Sequence, residues 1–279
     1  MVSLKLNNIL YIIQLYTTLD LSTVAAWKKL DDPPARVEPV PMVILLRAAA
    51  LCTDCDRDNA TIDCIWMAFY FLLRPGEYAN ASGDAKHQFR LCDVQYKIGH
   101  LHIFDAHLTT VQHCLASTFV SLHAFSTQKN GVKAEKLAHT PTGHPTSCPV
   151  RATLRRVAHL IQHNAPPSTP IHVYFDDAGR KRAVSSSMIT SLLRTATLTI
   201  PPGHAGIDVN NIAARSLRSS GTMSLLLGGM DTDRIRILGR WNSDAMFRYL
   251  HAHALPLIAG NATMMFQAGH YELVTARRP

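Results

Sequence analysis

The sequence predicts a mainly α-helical protein with a small antiparallel β-sheet, an α+β arrangement. Three observations predict it. Apolar residues recur at helical spacing in two stretches between Pro41 and Tyr78 and again through most of the second half. One interval, residues 89–140, alternates as strands do and contains the turn signals Gly99 and Asn130-Gly131. With 47% hydrophobic and only 17% charged residues among 279, the chain can bury a sizeable core.

Taken in order, residues 1 to about 30 place Leu4, Ile9, Ile12, Ile13 and Leu15 at helical spacing, and the proline-rich DDPPARVEPVP then breaks the pattern. This divides the chain into an N-terminal helical remnant with its linker, 1–38, and a main domain, 39–279. MVILLRAAALC is a helix, and TIDCIWMAFYFLLRPGEY a second one that Pro75 and Gly76 must stop, which puts Arg74 in its last turn. A cation there suits the helix dipole or, alternatively, a phosphate ligand. FRLCDVQYKIGHLHIFDA and STFVSLHAFSTQKNGVKAEKLAHT supply the strands, with Lys129 just before the Asn130-Gly131 turn.

CPVRATLRRVAHLIQHN is a helix with proline near its first turn. Arg151 and Arg155, four apart, share a face that either tracks a phosphate backbone or meets water. PPSTPIHVYFDDAGRKRAVSSS is loop-rich, and its GRKR is a weak nuclear-localisation pattern. Serines cap SSSMITSLLRTATL. Asn210 or Asn211 can cap IAARSLRSSGTMSLLL, on which Arg215 and Arg218 point the same way; Asp231 or Thr232 can cap DRIRIL; Ser243 can cap DAMFRYLHAHAL, which bears Tyr249.

Composition narrows the partners. Lys plus Arg number 28 against 20 Asp plus Glu, a formal charge of +8 that favours a polyanion such as nucleic acid. The six cysteines show no spacing of a secreted disulfide framework, so a reducing compartment is expected. Cys52 and Cys55 form a CxxC without a second ligand pair at zinc-finger spacing, and no metal site is expected there. The apolar N-terminus is interrupted by Lys5, Asn7, Asn8 and Gln14 and is not a signal peptide; Ile62–Leu73 is too short to cross a bilayer. A soluble intracellular protein, nuclear in location and without a membrane partner, is expected.

The ordered set R-x-x-E (Arg74, Glu77), a lysine in QKNGVK, the helix motif RSLR, the LGRW turn and Tyr249 nine residues after Arg240 resembles the catalytic domain of tyrosine recombinases, the phage-integrase family. FLLRPGEY, RLCDV, CPVRATLRR, ARSLRSSGTMSLL and LGRWNSDAMFRYLH resemble more closely the recombinases of Crypton mobile elements of oomycetes and other eukaryotic microbes. The resemblance covers residues 39 to the C-terminus. It implies the DNA breaking-rejoining fold and attack by Tyr249 on a DNA phosphodiester, giving a 3′-phosphotyrosyl bond and a free 5′-hydroxyl. Arg74 and Arg218 would grip the non-bridging oxygens. Lys129 would protonate the leaving oxygen. Trp241 or Arg240 would donate a further hydrogen bond, and Glu77 would hold an active-site side chain in place. No cofactor or metal is implied; the partner would be double-stranded DNA, bound by a homo-multimer.

Two departures bear on activity. Arg215 stands where the family usually has a proton-accepting histidine, and arginine cannot serve as that base; His204, His251 or His253 are the possible substitutes. The resemblance implies a helical domain that closes a clamp around DNA, of which residues 1–38 are expected to be a remnant, or else an arm that packs elsewhere. The alternative reading is therefore a catalytically degenerate or domesticated DNA-binding protein, and a type IB topoisomerase-like activity is a third.

Overall fold

The computed structural model describes residues 37–80, 88–98, 101–103, 119–122, 137–201 and 207–241. The chain divides into two units, Met1–Arg36 and Val37–Pro279, and every described residue belongs to the second. Helices dominate. They are α1 (Met42–Leu51), α2 (Asp56–Tyr70), the one-turn α3 (Pro75–Tyr78), α4 (Pro149–Gln162), α5 (Ser186–Leu198), α6 (Ser216–Leu227) and α7 (Thr232–Leu238). The strands are β1 (Val94–Ile98), β2 (Leu101–Ile103), β3 (Phe119–Leu122), β4 (Leu137–His139), β5 (Val173–Phe175) and β6 (Lys181–Ala183). A mainly helical protein with a small antiparallel sheet is what the sequence pattern predicts.

Helix α2 is the axis of the core. Every residue from Ala60 to Phe69 is buried, which is why the sequence there is apolar nearly all round and not only along a stripe. α4, α5, α6, β5 and α1 pack around it. The one charged residue in that run, Asp63, accepts from Arg155 Nε at 2.9 Å and also from the second guanidinium nitrogen. The approach of α2 to α6 is tight. A Cβ on Gly221 would lie 2.1 Å from the Phe69 carbonyl oxygen and 2.5 Å from a Leu72 methyl, so only glycine lets the two helices meet. Gly221→Ala is accordingly expected to cost at least the roughly 1–3 kcal/mol of core overpacking, read as a lowered urea midpoint at unchanged slope.

The sheet order is β2-β1-β3-β4, antiparallel throughout, with Ile98 opposite Leu101, Tyr96 opposite Val120 and Leu122 opposite Leu137. β1 and β2 are joined through residues 99–100; the expected turns at Gly99 and at Asn130-Gly131 both lie outside the described residues. β4 is tied to the end of α2: His139 Nε2 lies 2.7 Å from the Tyr70 carbonyl oxygen, and its ring meets Phe71 edge-on at 4.8 Å.

Four local expectations change. The loop-rich segment before α5 contains a hairpin, β5–β6, turned through Asp176–Gly179 with Gly179 at φ +69°; Asp-Asp-Ala-Gly was the unused turn signal. Arg180 and Arg182 of the GRKR run both reach the Asp176 carboxylate, at 3.0 and 3.2 Å. The expected helix from Ile212 begins only at Ser216, because Val209–Asn211 forms a separate 3₁₀ turn capped by Asp208, not by Asn210 or Asn211. Third, α2 stops at Tyr70, and Arg74 is the N-cap residue of α3, where Pro75 occupies the favoured first position. Arg74 is thus outside the last turn of α2, and the helix-dipole explanation for it lapses. Fourth, Arg215 and Arg218 do not share a face: Arg215 is exposed ahead of α6, and Arg218 is buried in its first turn. Ser185 and Asp231 do cap α5 and α7 through their side chains.

The pH dependence of this core has a defined sign. His172 is 2% exposed, and burial, then the Arg156 guanidinium, lowers its pKa to about 4. The unfolded chain, with histidine near 6.5, therefore binds the proton more tightly. Stability is full above about pH 6.5 and is lost as the pH falls toward 4, by an amount on the order of 3 kcal/mol for complete burial. His172→Gln is expected to lessen the fall in the urea midpoint between pH 7 and 4.

Candidate active site

Two helix ends create the site. After α2 the chain reverses with Leu72 at φ +50°, and the Leu73 amide donates back to the Ala68 carbonyl at 3.1 Å. After α7 it reverses with Arg240 at φ +57°, with Arg240 N donating to Ile237 O at 2.9 Å and Trp241 N to Arg236 O at 3.0 Å. Both follow the Schellman pattern, in which the left-handed position is usually glycine. A residue with a side chain there costs about 1–2 kcal/mol. The contacts of Arg240 account for its presence.

Arg240, 3% exposed, reaches across to Glu77, donating to Oε2 at 2.9 Å and Oε1 at 3.3 Å, and to the Leu72 carbonyl at 3.4 Å. Glu77, also 3% exposed, sits at the third position of α3 and reaches back to the Arg74 amide at 2.8 Å while accepting from the Arg74 guanidinium at 3.3 Å. The R-x-x-E spacing is thus a helix-capping arrangement as well as an ion pair. One carboxylate orders two guanidinium groups.

Arg218 completes the cluster. Its guanidinium donates to Leu72 O at 2.7 Å and to Gly239 O, so one fork bridges the two helix ends. The Trp241 ring lies over it at 4.2 Å, a cation–π arrangement. Gly239 permits this, since a Cβ there would fall within 1.4 Å of the indole. The start of α6 is fixed independently: the Tyr78 hydroxyl donates to Ala214 O at 2.8 Å, the Ala214 amide to Thr190 Oγ1 at 3.0 Å, and Arg194 Nε to Ile212 O at 3.0 Å. Burial holds the Tyr78 phenol well above its usual range, so it remains a donor.

The structure therefore brings Arg74, Glu77, Arg218, Arg240 and Trp241 together from three distant segments. Between the two candidates for a phosphate donor it gives different surroundings: Arg240 is engaged with Glu77, and Trp241 is stacked on Arg218. Arg215 makes no side-chain cap to α6. Arg155 serves Asp63, whose carboxyl is raised by burial with Arg155 opposing, and Arg151 donates to Pro145 O at 3.2 Å. Both lie on α4, outside this cluster. Lys129, Tyr249, His204, His251 and His253 lie outside the described residues, as do Ser243 and the helix expected after it.

Cys52 ends α1 and Cys55 precedes α2. Burial and the neighbouring Asp58 carboxylate push the Cys52 thiol up to about 11. Sequence reasoning missed the carbonyls of Leu72 and Gly239, since backbone acceptors leave no residue-type signal. It also missed the HxxxH of α4, His159 and His163, which packs against Asp56.

No protein-family profile matches the chain, and no curated protein matches it. Among solved structures it is similar to a XerA recombinase, with 14% identity and a TM-score of 0.45 over 87% of this chain and 67% of that one.

Proposed function

We propose that the chain is a tyrosine-type DNA recombinase that breaks and rejoins DNA through a 3′-phosphotyrosyl intermediate on Tyr249, of the mobile-element kind. The observation that carries this reading is the convergence of Arg74, Arg218 and Arg240 on the Leu72–Glu77 corner. Guanidinium groups repel one another, and three of them held at one corner, with Arg74 part-exposed, favour an anion such as a phosphodiester beside them. The side chain of Arg74, 26% exposed, offers the approach for that group. Trp241 and the two carbonyls hold Arg218 rigidly, so that little reorganisation accompanies charge development on the phosphate. Lys129 is the proposed general acid, and residues 39–279 the catalytic domain. A multimer on duplex DNA, in the nucleus, is the proposed working form.

The decisive test uses nicked suicide duplexes, on which cleavage traps the enzyme. A covalent protein–DNA adduct is expected with the unaltered chain and none with Tyr249→Phe, which lacks the attacking oxygen. An adduct that persists in the phenylalanine variant would refute the nucleophile. Duplex binding without any adduct would favour the second reading, a DNA-binding protein that no longer cuts. The exposed arginine at position 215, where a base is expected, is the observation behind that alternative.

A further inference from the structure

We propose that Asp56, His159 and His163 form a binding site for a divalent transition metal of the zinc class, at the junction of α2, α4 and β5. The site is separate from the guanidinium cluster and independent of the DNA chemistry. His159 and His163 are four apart at the C-terminal end of α4 and so share a face, and Asp56 opens α2 opposite them. The three ligand atoms lie within 4.8 Å of one another.

One of the three separations already suits a shared metal. His159 Nδ1 and Asp56 Oδ1 are 3.4 Å apart. That exceeds the roughly 2.7–3.2 Å of a good N–H···O bond. It matches the edge of a tetrahedron with metal–ligand bonds of about 2.0–2.1 Å, which is about 3.3–3.4 Å. The ligand atoms lie within 4.8 Å of one another, so the exposed His163 side chain would shift inward, off its stack on Phe175, to complete the set, and a water would fill the fourth position. The side chain of His159 is only 11% exposed, whereas Asp56 at 41% and His163 give entry from solvent.

Phe175 on β5 touches both rings. Its side chain stacks on His163 with centroids 4.6 Å apart and planes 14° apart, and its amide donates to His159 Nε2 at 3.0 Å. That hydrogen bond places the proton of the neutral ring on Nδ1. When the metal takes the Nδ1 lone pair, the ring proton moves to Nε2, and the Phe175 amide loses its acceptor. That loss is small against metal coordination. Arg156, held on the carbonyls of Ile171 and Val173, repels a dication and keeps the affinity moderate. Metal occupancy and the anchoring of β5 are therefore linked.

Zinc and cobalt(II) are the probes, used with the full chain. Saturable binding of one equivalent is expected. His163→Ala and Asp56→Asn should each weaken it by more than the roughly 10- to 100-fold that loss of an outer partner costs. A Cys52→Ser, Cys55→Ser double variant should bind as the parent does, with no thiolate charge-transfer band in the cobalt spectrum. Because His163 is exposed, its variant should melt as the parent does without metal. Hydrogen exchange at the Phe175 amide should quicken on saturation with zinc. Unaltered affinity in His163→Ala, loss of binding in the cysteine variant, absence of saturable binding, or unchanged Phe175 exchange would each overturn the site.

Discussion

Glu77→Ala is expected to destabilise the protein by about 3–5 kcal/mol, the cost of stranding a buried cation. Glu77 answers Arg240 through both oxygens and also holds the Arg74 amide. Its removal leaves Arg240, 3% exposed and strained at φ +57°, without the contact that offsets the strain. Urea unfolding measures the loss. Coupling is checked by adding Arg240→Met: if the pair acts as a unit, the double variant should recover a large part of the stability that Glu77→Ala loses. Strictly additive losses would show that Glu77 acts mainly through Arg74. Arg240→Met alone should be tolerated better than Glu77→Ala, since an apolar chain replaces the cation and Arg74 remains to meet the carboxylate.

Arg218→Lys is expected to reduce covalent-adduct formation on suicide duplexes by about 10²–10³-fold, the range for loss of one preorganised donor to a developing oxyanion. Lysine keeps the charge and loses the fork. One ammonium cannot span the Leu72 and Gly239 carbonyls as the planar guanidinium does, nor lie flat beneath the indole of Trp241. The urea midpoint must be measured alongside, because an abandoned carbonyl costs about 1–3 kcal/mol of stability. A variant that loses that stability and still forms adduct at the parental rate would make Arg218 a girder between helix ends and nothing more.

Much of this was legible in the sequence, and the failures have physical causes. Ser185, Asp231 and Pro149 announce helix starts because a short polar side chain or a fixed φ satisfies the free amides of a first turn. The strand interval was legible from alternation. The course after α2 was not, since its left-handed residue is Leu72 and no glycine marks the reversal. Pro75 was taken as a terminator when it begins a helix of its own. Arg74, Glu77, Arg218, Arg240 and Trp241 could be named from their order along the chain, but residue type does not tell whether an arginine faces a ligand, a carboxylate or a carbonyl. Arg155 illustrates this: its helical spacing from Arg151 is right, and its partner is a buried aspartate 92 positions away.

The two helix-end carbonyls that hold Arg218 belong to the main chain, and this has a consequence for how the site can age. A side-chain acceptor vanishes with one base change; a peptide oxygen persists under any substitution that leaves the turn in place. Most of the surroundings of such a site can drift beyond recognition while the guanidinium keeps its seat. Its vulnerable points are instead the small residues that allow the turns to come close, Gly221 and Gly239. In a gene library of randomised variants, those two positions should fall silent before most of the apolar core does.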